Sequence, residues 1–306
     1  MAGSPSVLSP ASVQASALSE VSWVLIVGMT AIFVLVMVLL ALALTRRGRG
    51  QGASTGVWIW GGGVAFPVVV LTGLLLYSTA RTAGLDASVS RPGLVVSVTG
   101  KLWWWQMRYR DPATGRDFFA ANELRIPVGR TVQLGLQSDD VVHSLWVPEL
   151  GGKMDLVPGR VNRLVVTATR AGTYRGQCAE FCGEQHARMA LHVVAMPAAE
   201  FDAWMVAQAT PATESVQAGR EAFAEHGCAA CHAVDPTSDA PSRGPNLAHV
   251  SSRSHLGAGV LPNDAGAYKR WLVGVQQLKP GALMPSYAQL DAATLDVLAA
   301  YLESLQ

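Results

Sequence analysis

The chain has 306 residues, enough for two domains of ordinary size with further segments around them. Half of the residues are hydrophobic and only 15% are charged, a balance too apolar for a purely soluble protein. The net charge of +1 gives no support for nucleic acid or another strongly charged molecule as a partner.

Two uncharged stretches near the N-terminus are long enough to cross a bilayer. They cover residues 22–45 and 57–80, and each exceeds the roughly 20 residues that a membrane-spanning helix needs. Two buried core helices of a soluble protein are the alternative, but both stretches are apolar on every face. We therefore predict a two-helix transmembrane hairpin over residues 22–82.

The charges between the two stretches indicate which way the hairpin faces. Arg46, Arg47 and Arg49 lie in the connecting loop, residues 46–56, and the positive-inside rule places such a loop in the cytoplasm. Residues 1–21 and everything after the hairpin then face outward. Because residues 1–21 lack a basic stretch followed by an apolar stretch and a cleavage site, we expect the first helix to be a retained anchor.

A β-rich region follows from residue 91 to residue 198. Val132, Leu134 and Leu136 alternate with polar residues or glycine, as in a half-buried strand. Further β-branched runs are separated by turn-forming residues and cover residues 94–99, 164–169 and 191–194. Several short strands of this kind predict a β-sandwich.

The last third of the chain has a helical pattern. Residues 199–215 begin like a helix and end as an Ala/Thr/Pro/Ser-rich linker, and residues 216–306 form a separate predicted domain. One helix is indicated by apolar residues at helical spacing, namely Tyr268, Trp271, Leu272 and Val275. A last helix, with Asp291 as its predicted N-cap, is indicated by Leu295, Leu298, Leu302 and Leu305.

Cys228, Cys231 and His232 form the Cys-x2-Cys-His pattern that attaches haem c. Each thiol can form a thioether bond to a haem vinyl group, and His232 can bind the iron. A thioredoxin-like redox site also has Cys-x2-Cys, but it needs no following histidine and lies in a βαβ unit. The helical surroundings here favour haem c.

A second axial ligand for the haem iron is predicted at Met284, the single methionine in residues 216–306. It follows the helix-ending pair Pro280-Gly281, and a thioether ligand raises the reduction potential of the iron. His249 and His255 are the alternatives, and either would give a haem with two histidine ligands. Solvated surface histidines are the simpler interpretation of both, so we favour Met284.

Another cluster of ligand-type residues lies in the β-rich region. Cys178, Cys182, His186 and Met189 place two thiolates, an imidazole and a thioether within twelve residues. Such soft donors select copper, zinc or an iron–sulfur cluster. A blue-copper site uses one cysteine, whereas two cysteine sulfurs four residues apart can bridge two metal ions. His143, 35 residues before Cys178, is the candidate for the second histidine of such a pair.

Two other interpretations of this cluster remain open. A structural zinc site with two cysteines and two histidines would leave Met189 without a role. A disulfide between the cysteines, common in exported proteins, would leave His143, His186 and Met189 without a role. A dinuclear copper centre uses all five side chains and is therefore favoured.

With these motifs the chain resembles subunit II of haem–copper cytochrome c oxidase, in the caa-type variant that carries a fused cytochrome c domain. The most specific parts are residues 178–189, the run from His143 to Arg160 and the Trp-rich segment 103–105. Residues 243–247 resemble the loop that covers the haem in small bacterial cytochromes c. The resemblance implies a two-helix transmembrane hairpin, an all-β cupredoxin-like Greek-key sandwich and an all-α cytochrome c domain.

The resemblance also implies site residues. The family's binuclear CuA centre would be held here by His143, Cys178, Cys182, His186, Met189 and the backbone carbonyl of Glu180. The Glu180 side chain would reach a magnesium ion at the boundary with subunit I, near Asp155. Trp103 matches the tryptophan through which the family's CuA receives its electron, although consecutive aromatic residues on a strand more often serve packing alone.

These features imply the electron-input subunit of a terminal oxidase in a bacterial inner membrane. Electrons would pass from a cytochrome c or another periplasmic donor to the haem c, then to CuA and to subunit I, where haem a and a haem–CuB site reduce oxygen. Subunit III and a subunit IV are further expected partners. The chain departs from the family at Trp60, which occupies the place of a glutamate at the proton-uptake entrance; no acidic residue occurs between residues 46 and 85.

Other functions share part of these motifs. A membrane-tethered electron shuttle would have all of them, and the CuA subunit of a nitric oxide reductase has a similar loop. Nitrous oxide reductase has such a loop together with a large propeller domain, for which this sequence has no counterpart. A copper chaperone would leave the haem motif unexplained.

Overall fold

The computed structural model describes residues 5–45, 54–85, 93–240 and 243–306. The chain forms two compact units: one is residues 16–90, and the other is residues 91–306 together with residues 1–15. Arg46, Arg47 and Arg49, on which the predicted orientation of the hairpin depends, lie outside the described residues.

Two long apolar helices make up most of the first unit. Helix α1 spans Val13–Thr45, and the second apolar segment has a π-helical start at Val57–Ala65 followed by helix α2 at Phe66–Thr82. Both segments are long and apolar enough to cross a membrane, with mean hydropathies of 3.0 and 2.0. Glu20 and Arg81 form an ion pair between them. The two predicted helices are confirmed, although α1 begins before the uncharged stretch because its polar first turns are also helical.

The residues just before α1 pack against the β-sandwich of the other unit, of which they are a part. The Ala11 amide donates to the Glu149 carbonyl, and the Ala11 carbonyl accepts from the Thr169 amide, each at 2.8 Å. Ala11 and Ser12 are fully buried. The Ser12 hydroxyl accepts from the Ala15 amide at 2.9 Å and caps the first turn of α1. Such a short Ser/Pro/Ala-rich segment has no periodic pattern from which this contact could be predicted.

Among the described residues, two five-stranded sheets form the β-sandwich. The strands of the first sheet are β1 (Leu94–Lys101), β2 (Trp104–Arg110), β3 (Asp117–Ala121), β5 (Val132–Ser138) and β8 (Asn162–Val166). Their order is β3-β2-β1-β5-β8. Strand β1 pairs with β5 in parallel, and the other pairs are antiparallel.

The second sheet carries the candidate metal ligands. Its strands are β4 (Glu123–Pro127), β6 (His143–Trp146), β7 (Met154–Leu156), β9 (Gly172–Cys178) and β10 (Ala190–Met196). Their order is β4-β10-β9-β6-β7, with a parallel pair between β4 and β10. The antiparallel contact of β6 with β9 pairs Leu145 with Cys178, which brings the beginning of one strand near the end of the other.

The core of the sandwich lies between the two sheets. The alternation predicted around Leu134 is confirmed, because every second residue of β5 is buried. The largest fully buried side chains of the core include Trp105, Tyr109, Phe118, Met107, Leu124 and Ile126. Burial of an aliphatic or Phe side chain of this size contributes about 1.5–3 kcal/mol, so this layer stabilises the fold that holds the ligands in place.

Helix α3, Ala198–Ala209, adds to this core. Phe201 and Met205 are buried, and the Trp204 ring packs edge-on against Tyr109 and Phe118, with ring centroids 5.1 and 5.9 Å apart. The helix-like start of the predicted linker therefore packs on the sandwich.

The C-terminal domain is helical. It contains α4 (Gln217–Glu225), α5 (Ala267–Leu278), α6 (Ala292–Ser304) and a two-stranded sheet of β11 (His255–Leu256) and β12 (Leu261–Pro262). Helices α4 and α6 approach closely at Gly219, where an added Cβ would lie 2.3 Å from the Tyr301 Cβ. The predicted cap is confirmed, since the Asp291 carboxylate accepts from the amides of Ala293 and Thr294 at 3.0 Å.

Candidate copper and haem centres

Three predicted ligands meet at one end of the second sheet. His143 begins β6, Cys178 ends β9, and Cys182 lies in the loop that follows β9. The His143 ligand nitrogen and the two cysteine sulfurs all lie within 4.8 Å of one another, and all three residues are buried. The loop of residues 178–189 is called the copper-site loop below.

The remaining predicted ligands surround the two sulfurs. His186 Nδ1 lies 3.7 Å and Met189 Sδ 3.9 Å from the Cys182 sulfur. The Glu180 backbone carbonyl lies 3.2 Å from the Cys178 sulfur. The fold thus brings together all six atoms that the resemblance implies as ligands.

Cys178 and Cys182 are free thiols whose sulfur atoms lie 3.8 Å apart. A disulfide has a sulfur–sulfur bond of about 2.05 Å, so this structure contains no disulfide between them. Metal–sulfur bonds are about 2.3 Å long, using zinc as the reference, and both sulfurs are therefore close enough to bond one metal ion. A set of two thiolates, two imidazoles and a thioether fits copper.

The contact between the two thiols shifts their pKa values in opposite directions. Hydrogen bonding with Cys182 lowers the pKa of Cys178 to about 3, and the same contact raises the pKa of Cys182. The thiolate is the form of cysteine that binds a metal. The lowered pKa of Cys178 therefore favours the thiolate that a metal ion binds.

Asp140 fixes the orientation of His143. Its carboxylate lies 2.7 Å from His143 Nε2, while His143 Nδ1 faces the Cys178 sulfur at 3.9 Å. Burial acts to lower the pKa of His143, but the hydrogen bonds with Asp140 and Cys178 outweigh it and raise the pKa to about 9. Asp140 was not predicted from the sequence. Its position could have indicated the role, because a carboxylate three residues before a candidate histidine ligand can orient the ring.

Trp103 lies between β1 and β2, beside the copper-site loop. Its indole nitrogen donates to the Cys182 carbonyl at 2.8 Å, and its ring covers Gly183, where an added Cβ would lie 3.2 Å from the ring. Trp104 and Trp105 are buried in the packing of the domain, at 8% and 0% exposure. Trp103 and Trp105 both bond to candidate ligand residues, since the Trp105 indole nitrogen donates to the Met189 carbonyl at 3.4 Å.

Two carboxylates lie near one cation at the surface of the sandwich. The Lys153 ammonium group is 3.2 Å from Glu180 and 3.7 Å from Asp155, and the three side chains are about half exposed. Exposed ion pairs of this kind contribute about 0–1 kcal/mol. The structure thus places next to each other the two acidic residues that the resemblance associates with the subunit boundary.

The haem motif is held by a short loop. Cys228 begins a 3-10 turn that leads to Cys231 and His232. The His232 Nδ1 donates to the Pro245 carbonyl at 2.7 Å, which leaves Nε2 as the nitrogen available to iron. Burial lowers the pKa of His232, and this favours the neutral imidazole that a metal requires. An added Cβ at Gly244 would lie 2.4 Å from the His232 ring, so residues 243–247 do cover this histidine.

Met284 lies in the loop that follows α5, and Gln276 holds that loop. The Gln276 amide nitrogen donates to the carbonyls of Ala282 and Met284 at 2.8 and 2.7 Å. Its amide oxygen accepts from the Gly281 nitrogen at 3.3 Å. A glutamine bonded to three backbone positions of this loop fixes the backbone of the candidate iron ligand.

The two alternative histidine ligands have other partners. His249 is 5% exposed and donates through Nε2 to the Thr210 carbonyl at 2.9 Å, so the interpretation as a surface histidine is wrong for it. His255 stacks on His192 of the sandwich, with ring centroids 4.2 Å apart. Both contacts support the preference for Met284.

Comparison with known proteins matches both parts of the chain. Residues 112–196 match the family "Cytochrome C oxidase subunit II, periplasmic domain", and residues 216–306 match "Cytochrome c". "Cytochrome c oxidase subunit 2" of Alkalihalophilus pseudofirmus is 36% identical over 247 residues, which cover 79% of this chain and 69% of the relative. The protein of the same name from Bacillus subtilis is 32% identical over 257 residues, covering 78% and 71%. This chain belongs to the cytochrome c oxidase subunit II family.

Membership of this family confirms the resemblance and the predicted architecture of two apolar helices, a cupredoxin-like sandwich and a helical cytochrome c domain. The cytochrome c domain implies haem c, and the subunit II family implies copper. The chain is therefore an electron-input subunit of an oxidase, anchored in a membrane with its two other domains on the periplasmic side.

Proposed function

We propose that this chain carries electrons from a cytochrome c or another periplasmic donor, through its own haem c, to a binuclear CuA centre and on to oxidase subunit I. Subunit I would then reduce oxygen to water and pump protons. The observation that carries the proposal is the convergence of six ligand atoms around Cys178 and Cys182. The haem domain packs against the same copper-site loop, since Arg188 donates to the Leu278 carbonyl at 2.9 Å.

Sulfur, nitrogen and oxygen atoms of this chain would hold the copper. The copper would be held by the sulfurs of Cys178 and Cys182, by Nδ1 of His143 and His186, by the Met189 sulfur and by the Glu180 carbonyl. The bound copper pair would take up and release one electron. Asp140 keeps His143 turned toward the sulfurs, and burial of the cysteines and Met189 keeps water away.

The haem ligands would be held by the loops of the cytochrome c domain. Haem c would be attached through Cys228 and Cys231, with His232 and Met284 as iron ligands. The Pro245 carbonyl sets the tautomer of His232. Trp103 would receive the electron on the copper side, a role supported by its hydrogen bond to the Cys182 carbonyl.

The proposal includes contacts with the rest of an oxidase in a bacterial inner membrane. Glu180 and Asp155 would face subunit I, and the Glu180 side chain would bind a magnesium ion at that boundary. The exposure of both carboxylates next to one cation supports such a site. Subunits III and IV would complete the complex.

Purification of the complex in mild detergent tests this function. We expect a large haem-a-containing subunit in fixed stoichiometry, absorption bands of haem a and haem c, and the EPR signal of a mixed-valence copper pair. Replacement of Cys182 by serine should remove that EPR signal and leave the haem c bands. A single isolated copper ion, bound zinc, or purification without a haem-bearing partner would contradict the proposal.

A further inference from the structure

A buried lysine joins the cytochrome c domain to the β-sandwich. Lys279 directly follows α5 and is 4% exposed. Its ammonium group donates to the carbonyls of Trp103 at 2.7 Å, Arg188 at 3.0 Å and Gly257 at 3.0 Å. An ammonium group has three donors, so all three are used, and two of them cross to the sandwich.

The chemistry of these contacts makes them selective for one arrangement of the domains. Burial of a charged group is unfavourable unless its hydrogen bonds are all made. The acceptors of Lys279 are backbone oxygens, which belong to the two folds and cannot turn to follow a displaced lysine. If the domains separate, the Lys279 ammonium group loses its two acceptors on the sandwich. The carbonyls of Trp103 and Arg188 then lose their donor.

A second cation completes a reciprocal contact. The Arg188 guanidinium donates to the Leu278 carbonyl at 2.9 Å, and Lys279 donates to the Arg188 carbonyl. Lys279 thus bonds to the backbone of Arg188, and Arg188 bonds to the residue before Lys279. Arg188 lies in the copper-site loop next to Met189, so this contact joins that loop to the end of α5.

Lys279 also connects the surroundings of both proposed centres. On one side it bonds to the backbone of Trp103, whose indole donates to the Cys182 carbonyl at 2.8 Å. On the other side it begins the loop that leads to Met284, and Gln276 fastens that loop through the carbonyl of Met284. A shift of the lysine would move the cytochrome c domain relative to Trp103.

We propose that Lys279 is a positioning residue that holds the cytochrome c domain against Trp103 and the copper-site loop, in the arrangement that electron transfer between the two centres requires. The inference rests on the proposed function and names the residue that sets its interdomain geometry.

Amide hydrogen exchange on the full-length complex measures the docking itself. Two sandwich amides donate across the interface, from Ala190 to the Ala258 carbonyl at 3.0 Å and from Phe119 to the Pro236 carbonyl at 2.9 Å. In Lys279→Met we expect their protection to fall at least about tenfold, because the carbonyls of Trp103, Arg188 and Gly257 lose their donor.

A matched control is Lys269→Met in α5, the helix that Lys279 follows. Lys269 is about half exposed and pairs with Asp296 within the cytochrome c domain, so its loss should leave both amides protected. Lys279→Gln keeps two donors and should reduce amide protection less than Lys279→Met does. The glutamine variant is used in place of the methionine variant if the latter fails to assemble.

Light-triggered reduction of the haem c gives the second readout. We expect transfer from haem to copper to slow at least about tenfold in Lys279→Met and to depend on solvent viscosity, because the domains must dock again before each transfer. The haem potential should not change. Unchanged amide protection in the Lys279 variants overturns the positioning role. If amide protection falls in the Lys279 variants but the wild-type protein transfers no electron from haem to copper, the positioning role is supported. The proposed electron path is then refuted.

Discussion

Replacement of Asp140 by asparagine tests whether this carboxylate orients His143 for metal binding. One carboxylate oxygen accepts from His143 Nε2 and from the Val141 amide, and the other accepts from the Leu102 amide, each at 2.7 Å. Asparagine offers a single oxygen and a donor NH2 group. In its most favourable orientation, the asparagine oxygen keeps the bonds to His143 and Val141. Its NH2 group then faces the Leu102 amide, so two donors meet without an acceptor.

The size of the effect follows from these bonds. A buried amide left without a partner costs about 1–3 kcal/mol, and loss of the carboxylate charge weakens the bond to His143 by about 1 kcal/mol. The free energy of unfolding should therefore fall by roughly 2–4 kcal/mol. Copper affinity should fall about 10–100-fold, as is typical when a residue that orients a ligand is changed. The negative carboxylate stabilises the oxidised copper centre, which is its more positive form. Loss of the carboxylate should therefore raise the reduction potential of the copper centre by about 40 mV.

Titration of the copper-loaded protein with a competing chelator measures the affinity, and a redox titration of the copper absorption measures the potential. Asp139→Asn is the matched control, since Asp139 is half exposed and pairs with Lys101 at 2.7 Å. That pair contributes about 0–1 kcal/mol, and copper affinity should be unchanged in this variant. Equal copper affinities of the two variants would refute the orienting role of Asp140.

Three further predictions concern the haem side and the interface. Gln276→Leu removes three hydrogen bonds to the Met284 loop, so the near-infrared band of methionine-ligated ferric haem should disappear at a lower temperature than in the wild type. Gly244→Ala places a Cβ 2.4 Å from the His232 ring, so haem content per protein, measured as the pyridine haemochrome, should fall. Acidification below pH 6.5 should loosen the domain interface at His192, as amide exchange would detect.

Two neighbouring substitutions separate these effects from general destabilisation. Gln277, the next residue after Gln276, is exposed, and Gln277→Leu should leave the near-infrared band intact. At Gly274 an added Cβ would meet side-chain atoms only at 3.7 Å or more, so Gly274→Ala should retain full haem content. Equal losses in a variant and its control would contradict the assigned contact.

The parts of the fold that could be predicted are those with a local signal. Apolar length identified the hairpin, alternation identified β5 around Leu134, and helical spacing identified α5 and α6. The spacing of Cys178 and Cys182, and the histidine directly after Cys231, also indicated copper and haem c, which the two matched families imply. Each of these signals lies within a few residues of sequence, where backbone geometry relates spacing to direction.

The contacts that could not be predicted join distant parts of the chain. Asp140 binds an amide 38 residues away at Leu102, and Lys279 donates to Trp103 across 176 residues. A lysine after a helix has the same local pattern whether it is exposed or buried between domains. The N-terminal contact of Ala11 is similar, because a paired backbone segment needs no particular side chain.

The acid-side prediction depends on two histidines in the interface, one buried and one partly buried. His192 of β10 is 4% exposed and stacks on His255 of β11. Burial, and then repulsion from His255, lowers the pKa of His192 to about 4, and burial also lowers the pKa of His255. Glu123 of β4 and Arg175 of β9 are the register partners of His192 on either side, and they act on its pKa in opposite directions. Both rings are therefore neutral in the docked protein at pH 7.

The direction of the pH effect follows from the lowered pKa. Between the ordinary value of 6.5 and about 4, the unfolded or separated state binds a proton that docked His192 does not bind, so stability falls as the pH falls. The loss from this residue is at most about 3 kcal/mol and is complete below pH 4. Amide exchange at Ala190 between pH 7 and 4.5, corrected for the intrinsic exchange rate, measures it. His192→Gln should reduce the dependence, and equal slopes in the wild type and this variant would mean that other groups control the interface.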